Sequence, residues 1–446
     1  MNRSSTWGHL TRRNFLKLGT SLTLAAVGTH LIPRWADPSQ TLIEAANPQV
    51  NIHLAATDGF IYLPGTVPTF HPDPLAPAPF TNWGFGFRNV TGLTAQQVQD
   101  QRNKFQTSAP MLAVDELDDV RITLTNLGLA VRPDLTDGHT IHFHGFRNAI
   151  PLFDGVPELS IAVPTGRDFT YFYHPRDPGT YMYHCHFEDV EHVSMGMTGI
   201  IFVRPAQNKT GASGGPVARL GGNASSPVLG YVYNDGVAPS SPYSTAYDRE
   251  YGMFLSEVWA EERYRGAHIQ EHDWSEYNPD IWLLNGRSYP DTLAPNGGGT
   301  DTMTGDLIPP PGRPELQYQP LSSLVECNSN DRVLLRFVNL GYQQHAMRLD
   351  GIPMKIVGKD ATLLRGRDGT FNYQMTDTIY VGPGESVDAL FVAPVVSTQT
   401  TFLLYNRNYN YLHNPGIPGL GGQMTEIRVS PSGIAPQRIN RTMQVR

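Results

Sequence analysis

Past residue 48 the chain alternates apolar and polar positions in short runs broken by Gly, Pro, Asn and Asp. In Asp118-Asp119-Val120-Arg121-Ile122-Thr123-Leu124-Thr125-Asn126-Leu127-Gly128, the apolar Val120, Ile122 and Leu124 share one face, and the run ends in a turn. That period of two predicts a half-buried strand. Asp331-Arg332-Val333-Leu334-Leu335-Arg336-Phe337-Val338-Asn339-Leu340-Gly341 repeats the pattern. The echo continues in His139-Thr140-Ile141-His142-Phe143-His144-Gly145 against His345-Ala346-Met347-Arg348-Leu349-Asp350-Gly351. It returns in Pro164-Thr165-Gly166 to Cys185 against Gly382-Pro383-Gly384 to Arg407, each a turn followed by two strands. Self-similarity of this kind predicts two related β-sandwiches, at 48–205 and 227–431, in an all-β chain. Residues 206–226, rich in Gly, Ser, Ala and Asn, read as a linker, and the tail 432–446 has no clear pattern. The polar insertion Asp291 to Gln319 carries Gly297-Gly298-Gly299 and Pro309-Pro310-Pro311 and reads as a surface loop of the second domain.

Composition narrows the function. The 446 residues include 43 Gly and 36 Pro, an excess that suits many turns. A net charge of -8, with 17% charged residues, implies no basic face and excludes nucleic acid as a partner. Two cysteines, Cys185 and Cys327, exclude a disulfide scaffold and a four-thiolate zinc site. Residues 1–47 read as a leader: Thr11-Arg12-Arg13-Asn14-Phe15-Leu16-Lys17 precedes an apolar run from Leu18 to Ile32 that stops at Pro33. Paired arginines before a short apolar run mark a twin-arginine export signal, with cleavage expected between Ala36 and Ala46. No later stretch is long and apolar enough for a membrane span, so a periplasmic or secreted protein is expected.

The histidines carry the chemistry. His139, His142 and His144 lie in one predicted strand and His184 and His186 flank Cys185 in another; His192 and Met197 follow. Successive strand side chains point to opposite faces. His142 and His144 therefore share a face, as do His184 and His186, while Cys185 projects to the other side, where His139 joins it if the strand runs unbroken. Thiolate, two imidazoles and a weak thioether form the ligand set of a type 1, or blue, copper site. Cys185, His139, His192 and Met197 supply it, with Met195 as the alternative axial ligand. The four remaining imidazoles suit copper ions that bind oxygen or nitrogen oxides. A lone His-x-His or a lone buried Cys means little. Structural zinc would want CxxC knuckles, which are absent.

The motifs His139-Thr140-Ile141-His142-Phe143-His144-Gly145 and His184-Cys185-His186 make the chain resemble the multicopper oxidases, laccase-like enzymes built from cupredoxin sandwiches. The resemblance covers both domains and implies two cupredoxin-like (plastocyanin-like Greek-key) folds. It implies type 1 ligands at His139, Cys185, His192 and Met197, and half of a type 2/type 3 trinuclear centre at His142, His144, His184 and His186. Asp154, in Phe153-Asp154-Gly155-Val156-Pro157, resembles the family's acidic residue that assists proton delivery to dioxygen. The expected function is one-electron oxidation of a reductant at type 1 copper coupled to dioxygen reduction. Phenols, metal ions and a protein donor all stay open as reductants.

The match fails in the second repeat. The family normally completes the trinuclear centre with four further histidines, and the expected places hold Arg348, Asp350, Asn406 and Asn408, with Arg407 where a second Cys would stand. Of the metal set, His345 and His413 survive, so this domain is expected to bind no copper, and Arg348 or Arg407 to pair with Asp350. Completion by a homo-oligomer, completion by a second subunit, and a reduced site are the alternatives. Two competing functions are a nitrite-reductase-like enzyme and a non-catalytic periplasmic electron carrier.

Overall fold

The computed structural model describes residues 49–65, 73–147, 149–210 and 230–437; the leader, most of the linker and the last nine residues lie outside them. Two β-sandwiches, each cupredoxin-like, make up the described chain. In the first, β1 (Gln49–Ile61), β2 (Asn82–Asn89), β4 (Asp119–Asn126) and β6 (Asp168–Tyr173) form one sheet in the order β2-β1-β4-β6. The facing sheet runs β3-β8-β7-β5 through β3 (Leu112–Asp115), β8 (Thr198–Arg204), β7 (Gly179–His184) and β5 (His142–His144). The pairs β1/β4 and β3/β8 are parallel and the rest antiparallel. Ile52, Leu54, Ile122, Leu124, Phe143, Tyr171 and Tyr183 fill the space between the sheets, as the alternation at 118–128 requires.

The second sandwich repeats the plan. One sheet contains the strands Arg249–Val258, Ile281–Leu284, Arg332–Asn339, Met354–Lys359 and Ser386–Val392. The other contains Val325–Asn328, His345–Leu349, Thr378–Val381, Thr400–Asn406 and Met424–Ser430. The repeated Asn-Leu-Gly has a physical reason. Asn126 donates to the carbonyls of Asp137 and Val163 while its Oδ1 accepts the Gly128 N–H. Asn339 donates to the carbonyls of Gln343 and Val381 and accepts the Gly341 N–H in the same way. A strand end is tied in both domains to the next two segments of chain, and an Asn amide satisfies donors and acceptors that burial would otherwise orphan.

Buried charge joins the sandwiches. Arg204 of β8 meets Glu250 at 2.9 Å, and Arg336 meets Glu250 at 2.7 Å and Asp388 at 3.3 Å. Thr180 of β7 donates to Asp388 at 2.5 Å, and Tyr233 does so at 2.6 Å. The segment Asp291 to Gln319 departs from the expected free surface loop. It folds back over the first sandwich, where buried Arg88 donates to the Gly305 carbonyl at 2.7 Å and Lys104 meets Asp306 at 2.6 Å. Asp291, Thr292, Leu316 and Gln319 are buried at its roots. Composition announced the turns but not these anchors.

The ion network sets two expectations. Arg336→Met leaves Asp388 without its cation and should cost about 3–5 kcal/mol, read as a lowered urea midpoint at unchanged slope. Burial pushes the Glu250 carboxyl up, but Arg204 and Arg336 outweigh it and hold the pKa down to about 2, against an ordinary value of 4.5. A depressed folded-state pKa stabilises above the unfolded value, so this contribution is complete above about pH 4.5 and lost progressively toward pH 2. Acid unfolding of wild type should begin in that window, and Glu250→Gln should flatten it; an unchanged acid limb in the variant would contradict the assignment.

Candidate metal centre

Strand β7 ends at His184 and the chain continues through Cys185 and His186. Pleating sends Cys185 into the core of the first sandwich and His184 and His186 to the opposite side. His139 is not part of β5; it stands before it in an isolated bridge to Val163, which still delivers its ring to the core side. His192 comes from the helix Asp189–Met195, and Met197 opens the return into β8.

On the core side, the Nδ1 atoms of His139 and His192 face Cys185 Sγ at 3.9 and 3.2 Å. One ligand atom from each of the three residues lies within 4.8 Å of the others, and all three residues are buried. The sulfur accepts the Thr140 backbone N–H at 3.3 Å. Thr140 Oγ1 accepts the His186 N–H at 2.9 Å, which locks the two strands' relative placement. Cys185 and Cys327 are both free thiols, so the sulfur is available to a metal. Met197 is fully buried beside this cluster, and Cys185 N donates to its carbonyl at 3.1 Å. The methyl of Met195, the other thioether candidate, lies near Gly266. Soft sulfur and two buried imidazoles with converging Nδ1 atoms fit copper.

Burial lowers the pKa of His139. For His192, burial also disfavours the cation, but Asp137 and Cys185 outweigh it and raise the value to about 10. The His192 Nε2 atom is buried without a hydrogen-bond partner, 3.9 Å from Asp137 Oδ2. Asp137 and Glu188 flank that nitrogen, a carboxylate pair absent from the sequence-based candidates. Their positions two residues before His139 and four before His192 carry no motif of their own.

On the other side the four expected imidazoles come together. Ring centroids separate His142 from His184 and from His186 by 5.2 Å, His144 from His184 by 5.8 Å, and His184 from His186 by 5.5 Å. His142 Nδ1 donates to the Asp154 carbonyl at 2.6 Å, and His184 Nδ1 donates to the Cys185 carbonyl at 2.8 Å. Both Nε2 atoms are thereby left for a metal, the backbone contact fixing the tautomer. Burial lowers the pKa of His142 and of His144 and takes His184 to about 3, so these rings are neutral ligands at neutral pH. Asp154 Oδ1 lies 3.6 Å from His142 Nδ1, with its side chain one-third exposed.

The second sandwich corrects the expected alignment by one residue. Arg348 pairs with Tyr405 across its strands, as His142 pairs with His184, so Asn406 and not Arg407 occupies the place of Cys185. Hydrogen bonds agree: Asn406 N donates to Gln423 O and Gln423 N to Tyr411 O, as Cys185 N donates to Met197 O and Met197 N to His192 O. The places of His139, Cys185, His192 and Met197 are thus taken by His345, Asn406, Tyr411 and Gln423. Asn406 Nδ2 donates to His345 Nδ1 at 3.1 Å and to Gln423 Oε1 at 2.8 Å. His413 is exposed and outside this group, as are Arg407 and Asn408. Arg348 does pair with Asp350, at 2.6 Å, and also with Asp377 at 3.1 Å.

Comparison with known proteins gives matches in family and in fold. A family model described as multicopper oxidase matches residues 91–208, and a second of the same description matches 256–420. No curated sequence matches. Similar solved structures include a blue copper oxidase from Nitrosomonas europaea, 22% identical with a TM-score of 0.57, covering 85% of this chain and 86% of that one. Another is the multicopper oxidase mgLAC, 21% identical with a TM-score of 0.56, covering 87% and 88%.

Gly155 (φ +79°) sits against the backbone at Ile141, where a Cβ would collide with the carbonyl, and it allows Asp154 to reach His142. Gly155→Ala should cost about 1–3 kcal/mol in thermal or urea unfolding and reduce copper at the four-histidine face, with the Cys185 site still loaded. Equal stability and equal copper content would contradict the role given to this turn.

Proposed function

From the premise that this chain belongs to the multicopper oxidase family, and is a copper-dependent oxidoreductase, we propose the assignment of its ligands. His139, Cys185, His192 and Met197 hold the type 1 copper, and His142, His144, His184 and His186 hold half of a type 2/type 3 centre. The observation that carries this is the opposite projection of Cys185 and its two neighbours, with the Nδ1 atoms of His139 and His192 converging on the sulfur. Copper held by these residues would supply one-electron redox chemistry, coupling oxidation of a reductant to reduction of dioxygen. The protein's own groups prepare that chemistry. The Thr140 N–H stabilises negative charge on Cys185 sulfur, and the Asp154 and Cys185 carbonyls orient two imidazoles. Asp154, close to His142 and open to solvent, takes and gives the protons that oxygen reduction consumes.

Four histidines are half of the family's trinuclear set, and a second copy of this chain supplies the rest in this reading. Support comes from the apolar side chains of Ile150, Leu152, Leu159 and Ile161, all exposed along the loop that carries Asp154. The second sandwich of the same chain offers the Arg348–Asp350–Asp377 ion group in place of histidines. Export by the twin-arginine pathway to the periplasm or beyond belongs to the same proposal and rests on Arg12-Arg13 and the apolar run after them. Among the described residues no helix is long and apolar enough to cross a membrane.

Copper-loaded wild type should be intensely blue, Cys185→Ser colourless, and Met195→Leu still blue. His142→Ala and His186→Ala should keep the blue colour and lose oxygen consumption on a simple phenol; a variant that still consumes oxygen would overturn the four-histidine assignment. Light scattering with copper counting should give a dimer holding two type 1 coppers and one shared cluster. A monomer with a full copper complement would contradict the shared centre.

A further inference from the structure

The second sandwich reaches across to the helix Asp189–Met195 that carries His192. At one end, Tyr342 Oη donates to the Val190 carbonyl at 2.5 Å, and Glu257 accepts the Tyr342 backbone N–H. At the other, Arg263 Nη2 donates to the Ser194 carbonyl at 2.9 Å, and Arg263 Nη1 approaches the Trp83 carbonyl at 3.5 Å. Gly84 makes room for this, since a Cβ there would stand 2.9 Å from the guanidinium. Arg263 is 3% exposed, has no carboxylate within 4 Å among the described residues, and leaves Nε without a partner. Burial lowers its pKa to about 10, which still leaves it cationic at neutral pH. Asp280, a carboxylate whose charge favours the cation, is itself pushed up by burial to about 6.

A buried cation is expensive unless something offsets it. Here the offset is two carbonyls, one of them at the negative end of the helix that supplies His192. We propose that Arg263 is a positioning residue of the second sandwich that fixes the His192 helix and, through its buried positive charge, sets the reduction potential of the type 1 copper. The inference rests on the assignment of His192 as a ligand of that copper. A fixed positive charge disfavours the more highly charged oxidised metal relative to the reduced one. The second sandwich thereby tunes the site held by the first.

The test is a redox titration of the blue absorption in copper-loaded wild type, Arg263→Gln, Arg263→Lys and Asp280→Asn. Gln keeps a donor for Ser194 and removes the charge; at a fixed solution potential it should raise the oxidised-to-reduced ratio about tenfold. Lys should restore the wild-type ratio. Asp280→Asn removes a nearby negative charge and should shift the ratio in the opposite direction, which keeps the question answerable if the Gln variant does not accumulate. Blue protein whose ratio is unmoved in Asp280→Asn, or equal in the Gln and Lys variants, overturns the inference. Colourless wild type would instead overturn the copper assignment beneath it.

Discussion

The pleat at the end of β7 is the constraint on which the site depends. Three consecutive residues, His184, Cys185 and His186, can serve two metal environments because a strand turns neighbouring side chains to opposite sides. Sulfur belongs on the core side, where Phe85, His139 and His192 exclude water and the Thr140 N–H is aimed at it. Imidazoles belong on the other, where access from solvent is needed. A single-residue slip of β7 would exchange the two sets. Register is fixed by the β7/β8 pairing and by Tyr183, whose hydroxyl donates to the Pro110 carbonyl at 2.6 Å deep in the sandwich.

The second sandwich retains the plan of the copper pocket with other chemistry. Asn406 in place of Cys185, Gln423 in place of Met197 and Tyr411 in place of His192 turn a ligand set into a hydrogen-bonded one around His345. Each Asn406 amide hydrogen has an acceptor, while His345 Nε2 is buried without a hydrogen-bond partner. His345 Nε2 faces Glu257 at 3.5 Å, and Glu257 in turn holds the loop bearing Tyr342. The polar core that replaces copper is therefore connected to the helix that supplies His192.

Much of this was legible in the sequence. Period-two alternation and the repeated Asn-Leu-Gly located the paired sandwiches, because both follow from local backbone geometry. Parity separated Cys185 from His184 and His186 and grouped His142 with His144, since it needs only extended backbone there; His192, on a helix, and Met197 were placed by their spacing after Cys185. Three features were not legible. The one-residue difference at Asn406 depends on how a loop closes before Gln423, and spacing alone cannot register it. Anchoring of the segment 291–319 depends on Arg88 and Lys104, distant in sequence and unremarkable in composition. Arg263 lies in a short helix with no motif, and its place beneath the His192 helix follows from domain packing alone.

The central claim is that one sulfur, from Cys185, binds copper on the face opposite to the histidines. X-ray absorption at the copper edge of the loaded protein tests it most directly. The account predicts a short copper–sulfur path on part of the copper, lost in Cys185→Ser while the nitrogen paths of the remaining copper persist. Nitrogen and oxygen paths alone in the wild type would contradict it.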